Sequence, residues 1–215
     1  MLENMYNIFS KKFKDEVIAW DHFIDFLAVD NCGSLIYQFR HKFEWLFEDN
    51  KLVNSLMSIY NPALLRSDYY DHLGEMYFEK ILNPKQSQDR NLSLMTMNDA
   101  YTMAKMSFGE TDAPLKILDP VVGSGRYLMA VYKIAPNALL FGVDTDLRAL
   151  RIAFTNFAIH GIQGYLLHAD TRIHDTEIDT DEGIYNWQFA NKWYSHIDKL
   201  KTKIKDKIQK QKILL

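Results

Sequence analysis

A short apolar segment followed by an acidic residue and two glycines constrains the fold of this chain more than any other feature. Ile117-Leu118-Asp119 predicts a strand, and the following residues to Gly125 predict a turn that enters a helix. Glycines at 123 and 125 allow the backbone to approach a ligand, and the first turn of a helix has free N–H groups. Nucleotide-binding α/β folds place such a turn at the switch point of a parallel sheet. The motif therefore predicts a nucleotide-type ligand.

The residues around this turn favour one class of ligand. Dinucleotide enzymes have a third glycine three residues after the second, but position 128 is Leu. Asp119 stands where a pyrophosphate would lie, and its negative charge repels phosphate and attracts a cation. S-adenosylmethionine (SAM), a nucleoside that carries a positively charged sulfonium, is therefore favoured over NAD.

From about residue 93 onward, strand and helix patterns alternate along the chain. Strands are predicted at 116–119, 139–143 and 164–168, and helices at 98–106, 125–134 and 147–160. Asn98 and Asp146 are the predicted caps of the first and last of these helices, and Gly161 is the stop of the last. Alternation of this kind indicates a parallel sheet with right-handed crossovers. The expected fold class is therefore α/β and Rossmann-like, with a shortened parallel sheet.

The first ninety residues have helical periodicity instead. Apolar residues recur at helical spacing from Val17 to Leu27 and from Phe43 to Leu56, and a third helix is predicted from about Ser67 to Leu82. The polar segment 85–91 is the candidate linker. We therefore predict a helical N-terminal domain at 1–90 and a SAM-binding domain at 91–215.

Composition excludes several other classes of protein. The single cysteine, Cys32, leaves no internal disulfide and no zinc cluster built on cysteines, and the histidines have no metal-ligand spacing. The N-terminus lacks a basic leader followed by an apolar core, and no apolar run is long enough to cross a membrane. These features predict a cytoplasmic protein with no metal and no membrane partner.

Two further carboxylates follow predicted strands. Asp144 comes directly after the second strand, where a carboxylate can accept hydrogen bonds from both ribose hydroxyls of a nucleotide. Asp170 follows the third strand, where it can accept a hydrogen bond from the exocyclic amine of the adenine. The alternatives are that Asp144 only caps the next helix, a role that Asp146 fits better, and that Asp170 is a solvated loop acid.

These motifs resemble those of a known family. Asp119-Pro120-x-x-Gly123-Ser124-Gly125 resembles the first motif of amino-group DNA methyltransferases, most closely the modification subunits of type I restriction-modification systems. Gly142-Val143-Asp144, with Ala153 and Asn156 in the next helix, resembles the second motif. Asp71-x-x-Gly74-x-x-Tyr77 resembles the last helix before the catalytic domain of the family.

The resemblance implies a Rossmann-like SAM-dependent methyltransferase fold and an N6-adenine DNA methyltransferase activity. It implies DNA as the partner, with a specificity subunit or a second copy of the chain as further possible partners. Thr96 lies in the segment that matches a cofactor-contacting turn of the family. The cofactor-binding residues that it implies are Thr96, Asp119, Pro120, Gly123, Gly125, Asp144 and Asp170.

The catalytic motif of the family, Asn/Asp-Pro-Pro-Tyr/Phe, is matched only in part. The best register places Asn191-Lys192-Trp193-Tyr194 there, so Asn191 and Tyr194 are the implied catalytic residues and both prolines are missing. In the family, the Asn and a proline carbonyl accept hydrogen bonds from adenine N6, and the aromatic ring stacks on the flipped base. An ammonium about 4 Å from that nitrogen would oppose methyl transfer by roughly 4 kcal/mol at an effective dielectric near 20, so Lys192 disfavours ordinary adenine methylation by this chain alone. The alternative is that Lys192 points to solvent or to a DNA phosphate.

The C-terminal segment has an apolar stripe at helical spacing, formed by Ile197, Leu200, Ile204, Ile208 and Leu215, with lysines on its other faces. It predicts a helix over the open edge of the sheet, and a phosphate-binding face or a partner-binding helix are the alternatives. Two functions stay open. One is a SAM-dependent adenine-N6 DNA methyltransferase of a restriction-modification type system, with impaired catalysis. The other is a non-catalytic module derived from such an enzyme, which binds SAM, a partner or DNA.

Overall fold

A computed structural model of the protein describes residues 1–32, 43–82, 95–168, 170 and 171. The predicted catalytic residues Asn191 and Tyr194 lie outside these residues, as do Lys192, the candidate linker and the segment for which a C-terminal amphipathic helix is predicted. The described helices are α1 (Leu2–Phe13), α2 (Glu16–Asn31), α3 (Glu44–Phe47), α4 (Asn50–Ile59), α5 (Pro62–Asp68), α6 (His72–Lys80), α7 (Met97–Phe108), α8 (Arg126–Ile134) and α9 (Leu147–His160). The strands are β1 (Lys116–Asp119), β2 (Leu139–Asp144) and β3 (Gly164–His168).

The strands form a three-stranded parallel sheet in the order β1-β2-β3. Asp119 pairs with Gly142, and Asp144 pairs with His168, so the carboxyl ends of the three strands lie side by side. The predicted strand bounds at 116–119 and 164–168 are confirmed, and β2 is one residue longer than predicted. The parallel sheet with crossover helices confirms the predicted alternation of strand and helix.

The two faces of this sheet have different surroundings. One face is buried, with Ile117 of β1, Leu140 of β2 and Leu166 of β3 each at most 7% exposed. Helix α9 packs on this face, because a Cβ at Gly164 would lie only 3.0 Å from Phe157 Cε2. The opposite face carries a cross-strand row of Leu118, Phe141 and Tyr165.

In that row, Leu118 is 60% exposed, and the rings of Phe141 and Tyr165 stack with their centroids 5.2 Å apart. The described residues therefore leave part of this apolar face open.

Helix α9 has the bounds that its caps predict. The Asp146 side chain accepts hydrogen bonds from the backbone N–H groups of Arg148 and Ala149, and Gly161 ends the helix with φ +66°. Both residues were predicted in these roles. The cap of α7 lies two residues earlier than predicted, because the hydroxyl of Thr96, not the side chain of Asn98, accepts the hydrogen bond from Asp99 N–H.

Two predicted helices are wrong in their extent. The helix predicted from about Ser67 to Leu82 begins only at His72, as α6, because Tyr69 has a left-handed conformation that ends α5 and Asp71 caps α6. Helix α5, which begins at Pro62, was not predicted. The hydroxyl of Tyr69 donates a 2.8 Å hydrogen bond to the Met129 carbonyl, a contact with α8 that holds the break in place. The helix predicted across residues 43–56 is interrupted at Asp49, which caps α4.

The N-terminal helices pack directly on the α/β part of the chain. Arg148 of α9 makes a two-pronged ion pair with Asp21 of α2, at 3.0 and 3.2 Å. Arg151, one turn further on, pairs with Asp21 at 3.1 Å and with Asp25, whose side chain is only 8% exposed. These contacts join α2 to α9, whereas the predicted domain boundary at residue 90 lies outside the described residues. None of the described helices combines the length and the apolar character that crossing a membrane requires.

Candidate cofactor site

The glycine loop, residues 119–125, is fixed to the end of β2 by two backbone donors. Val122 N–H donates to the Val143 carbonyl at 2.8 Å, and Gly123 N–H donates to Asp144 Oδ2 at 2.8 Å. The parallel register already places the carboxyl ends of β1 and β2 side by side. The loop, Asp119 and Asp144 therefore meet at one edge of the sheet, which is where α/β folds bind ligands.

Asp144 is a buried carboxylate that orders the backbone on both sides of it. It is 8% exposed, and its second oxygen, Oδ1, accepts a 2.8 Å hydrogen bond from Asp146 N–H. Asp146 itself caps α9, so the interpretation of Asp144 as the cap of that helix is wrong. A carboxylate has about four acceptor positions, so two backbone bonds leave capacity for hydroxyl donors. The predicted bond to ribose stays a prediction.

Asp119 lies half-buried at the end of β1, and its Oδ1 accepts a 3.1 Å hydrogen bond from Val121 N–H. Burial raises the pKa of the Asp119 carboxyl, the bond from Val121 opposes that rise, and the negative charge of Asp144 adds to it. Two neighbouring carboxylates that are partly removed from water favour a cation and disfavour a phosphate. The electrostatics of this edge therefore suit a sulfonium.

The two glycines of the loop have different structural roles. Gly123 has φ +54°, and a Cβ built on it would meet no atom of the described residues within 4 Å, so these residues leave open space over its backbone. Gly125 has φ +86°, and its Cβ would lie 2.9 Å from Phe157 Cε1 and 3.1 Å from the Ala153 Cβ. The absent side chain of Gly125 therefore makes room for helix α9, and only Gly123 leaves room for a ligand.

The N–H groups of both glycines are already used within the protein. Gly123 N–H bonds Asp144, and Gly125 N–H donates to the Val122 carbonyl at 2.9 Å. The free N–H groups that the sequence predicts are those of the following helix, α8, and these two glycines do not add to them. A loop whose glycine donors are occupied is a poor phosphate cradle. The geometry agrees with the charge argument against NAD.

The chain after β3 runs along the same edge. His168 Nε2 lies 2.9 Å from the Thr145 carbonyl, and the Thr171 hydroxyl donates to the Pro120 carbonyl at 3.4 Å. Asp170, between these two contacts, is half-buried. The structure thus brings Pro120 and Asp170 to the edge that holds Asp119 and Asp144, while their contacts with a cofactor stay predictions.

Thr96 is exposed and lies at the start of α7, where its hydroxyl also donates to Asp99 Oδ2 at 2.7 Å. The carbonyl of the preceding residue, Met95, accepts a hydrogen bond from Nη1 of Arg126, the first residue of α8. The predicted cofactor-contacting turn is therefore tied to the residue that directly follows the glycine loop.

A buried polar network below the loop was not predicted as part of the site. At its centre is Asp71, which is fully buried and caps α6 through a 2.7 Å bond from Gly74 N–H. Its carboxylate also accepts hydrogen bonds from Arg126 Nε at 3.0 Å, from Asn156 Nδ2 at 2.7 Å and from the Ser124 hydroxyl. Burial raises the pKa of the Asp71 carboxyl, and Arg126 and the other donors oppose that rise.

This network explains several residues that the resemblance had marked. Gly74 is glycine because a Cβ there would lie 2.2 Å from an oxygen of Asp71. Asn156 also donates to the Ser124 carbonyl at 3.0 Å, so it holds the glycine loop from the side of α9. The signal for Arg126 in the sequence is its position, since this arginine directly follows the second glycine of the turn.

Within residues 1–32, 43–82, 95–168, 170 and 171, no group of three or more His, Cys, Asp and Glu side chains is arranged to hold a metal ion. The features that fit a cofactor are the open space above Gly123 and the two carboxylates beside it. Both suit a nucleoside with a cationic end.

Comparisons with known proteins identify the family. A family model described as N-6 DNA Methylase matches residues 70–213, well over half of the 215-residue chain. Comparisons with curated proteins and with solved structures returned no significant match. The matched range begins beside Asp71, includes the three described strands and extends over Asn191 and Tyr194. The chain therefore belongs to the N-6 DNA methylase family and is an N6-adenine DNA methyltransferase-like protein.

Proposed function

We propose that this chain binds SAM at the carboxyl ends of β1 and β2 and methylates N6 of adenine in DNA. The convergence of Asp119, Gly123 and Asp144 at one edge of the parallel sheet is the observation that carries this proposal. The family match supports a DNA methyltransferase-like function, and the loop geometry supports this choice of cofactor.

Each residue at this edge has a proposed role. Asp119 lies beside the cationic end of the cofactor. Gly123 has no side chain, so the cofactor can approach the backbone of the loop at this residue. Asp144 accepts hydrogen bonds from the ribose hydroxyls, and Asp170 accepts one from the adenine amine. Pro120, Gly125 and Thr96 shape the loop and the turn around these groups. When bound, SAM supplies the methyl group.

The proposed catalytic residues are Asn191 and Tyr194. Asn191 would accept a hydrogen bond from N6 of the target adenine, which keeps the nitrogen lone pair aimed at the methyl group. Tyr194 would stack on the adenine after it leaves the duplex. Since Lys192 replaces the first proline of the motif, we propose that this chain transfers methyl groups slowly.

We also propose a Rossmann-like methyltransferase arrangement, with a helical domain at 1–90 and the SAM-binding domain at 91–215. The parallel order β1-β2-β3 and the position of the glycine loop at the carboxyl end of β1 support it. The resemblance to type I modification subunits supports a restriction-modification context. In that context a separate specificity subunit, or a second copy of the chain, would supply the recognition of a DNA sequence.

A titration of the protein with SAM tests the cofactor. Asp119→Asn removes the charge of the loop and keeps its shape, and Asp112→Asn is the matched control because this exposed acid precedes the opposite end of β1. We expect Asp119→Asn to weaken binding about tenfold or more, as for a lost charged contact, and Asp112→Asn to leave it unchanged. Absence of binding by the unmodified protein at millimolar SAM would refute the proposal.

The second candidate function, a non-catalytic module derived from a methyltransferase, is favoured by the two missing prolines and by Lys192. Transfer of a labelled methyl group from SAM to duplex DNA distinguishes the two functions. The enzyme requires transfer to adenine that disappears in Asn191→Ala and falls strongly in Tyr194→Ala. SAM binding without any transfer, alone or with a specificity subunit, would establish the module instead.

A further inference from the structure

Arg126 is a buried arginine whose donors are shared between two separate segments of the chain. It is 4% exposed, and it directly follows Gly125. Nε donates to the Asp71 carboxylate at 3.0 Å, and Nη1 donates to the Met95 carbonyl. Nη2 lies 3.4 Å from the Asp71 carbonyl and 3.6 Å from Glu75 Oε1. One planar side chain thus contacts the start of α6 and the turn before α7.

The partners of Arg126 are themselves bonded to, or adjacent to, other segments of the candidate site. Asp71, its main partner, also accepts hydrogen bonds from the Ser124 hydroxyl in the glycine loop and from Asn156 of α9. Met95, its other partner, directly precedes Thr96, the predicted cofactor-contacting residue. Arg126 therefore links the Met95–Thr96 turn to the glycine loop by way of Asp71.

We propose that Arg126 is a positioning residue of the cofactor site, one that holds the Met95–Thr96 turn and the glycine loop at the separation that SAM binding requires. It does not contact the cofactor in this role, because its donors point to Asp71, Met95 and Glu75. This inference rests on the proposed function, since it assumes that both segments contact SAM.

The proposed positioning role of Arg126 depends on the planar shape of its guanidinium group. Arginine presents five donors in a rigid plane, whereas lysine presents a compact ammonium on a flexible stem. Arg126→Lys therefore keeps the charge beside Asp71 but cannot reach both the carboxylate and the Met95 carbonyl in the same geometry. It should loosen the turn while leaving the buried carboxylate with a cation.

A second ion pair in the same molecule supplies the matched control. Arg151 of α9 pairs with Asp25 and Asp21 of α2, so it also joins an N-terminal helix to the α/β part of the chain. It contacts neither the glycine loop nor the Met95–Thr96 turn in these bonds. Arg151→Lys is the same chemical change at a partly buried ion pair, and any general loss of stability should appear in both variants.

The experiment compares SAM affinity and thermal unfolding in the two variants. We expect both to unfold at a lower temperature, and only Arg126→Lys to raise the dissociation constant for SAM, by about tenfold to a hundredfold. Arg151→Lys should bind SAM within about twofold of the unmodified protein. Equal affinities in the two variants would overturn the inference, as would a folded Arg126→Lys variant that binds SAM normally.

Hydrogen exchange of backbone amides gives a readout that does not need SAM. Arg126→Lys should accelerate exchange in both the start of α7 and the loop around Gly123 and Ser124, and Arg151→Lys should accelerate neither. Should Arg126→Lys fail to fold, Asp71→Asn keeps the side-chain shape and one acceptor oxygen, and it is measured in the same way. If the unmodified protein does not bind SAM, the proposed function fails, and exchange at the two segments still decides whether Arg126 couples them.

Discussion

The backbone N–H of Gly123 donates a 2.8 Å hydrogen bond to Oδ2 of Asp144, and this bond joins the glycine loop to the end of the neighbouring strand. The second oxygen of the same carboxylate holds Asp146 N–H at 2.8 Å. One buried side chain therefore sets the relative positions of the two loops that form the candidate site. The ribose contact proposed for Asp144 depends on these two backbone hydrogen bonds, because they hold the carboxylate in place.

Replacing Asp144 should affect both stability and cofactor binding. Asp144→Ala leaves two backbone donors without their partner, so we expect a loss of about 2–4 kcal/mol in the free energy of unfolding. Asp144→Asn retains one acceptor oxygen and should lose less. Asp146→Ala is the control, because it removes only a helix cap and should cost about 1 kcal/mol. Urea unfolding and SAM titration measure both effects, and weakened SAM binding in Asp146→Ala equal to that in Asp144→Ala would contradict the assignment.

SAM affinity should depend on pH through Asp119. Burial raises the pKa of this carboxyl, so the group takes up a proton at a higher pH than an ordinary aspartate does. A protonated carboxyl no longer attracts a sulfonium. We therefore expect SAM affinity to fall as the pH is lowered through this raised pKa, and to be regained on return to neutral pH. Asp119→Asn should bind weakly at all these pH values, and an unchanged pH profile in that variant would contradict the prediction.

The raised pKa of Asp119 also predicts that the protein becomes more stable when the charge of this side chain is removed. An acid whose pKa is higher in the folded than in the unfolded protein destabilises the fold progressively as the pH rises from its ordinary value through the raised one. Asp119→Asn removes this penalty and keeps an oxygen that can accept the bond from Val121. We expect this variant to be more stable than the unmodified protein at pH 7 in urea unfolding. A lower stability would show that Asp119 has a stabilising partner.

The two loop glycines should respond differently to alanine. Gly125→Ala places a methyl 2.9 Å from Phe157 and keeps a positive φ, so we expect a loss of about 2–4 kcal/mol in stability. The methyl of Gly123→Ala would meet no atom of the part of the chain that the structure describes, and backbone strain alone should cost about 1–2 kcal/mol. This methyl occupies the space left for the ligand, so SAM binding should weaken strongly. Normal SAM binding by Gly123→Ala would mean that the cofactor lies elsewhere.

Lys192 should slow methyl transfer if its ammonium faces the target nitrogen. Lys192→Gln removes the charge, and we expect the single-turnover rate to rise by up to about a thousandfold, the equivalent of roughly 4 kcal/mol. Lys199→Gln is the matched control and should leave the chemical step unchanged. Equal rates for both variants and the unmodified protein would show that the lysine points away from the reacting atoms.

Local patterns determined most of the elements that carry the site. Strand alternation, the cap at Asp146 and the stop at Gly161 depend on neighbours along the chain, so the bounds of β1, β3 and α9 follow from sequence. The break at Tyr69 does not, because it is held by a hydrogen bond to Met129, sixty residues away in the chain. The sequence pattern therefore predicts a helix that runs through residues 69–71, where the structure has the end of one helix and the cap of the next.

By itself, the sequence determined the chemistry at the sheet edge: an acid at the end of β1, a glycine loop and an acid at the end of β2. Only the tertiary structure decided which glycine leaves room for a ligand, since Gly125 is distinguished from Gly123 by Phe157 and Ala153 of a distant helix. It also decided that Arg126 turns inward to Asp71. The physical reason is that packing and buried charge pairs depend on residues far apart in the chain, whereas caps and strand patterns depend on near neighbours.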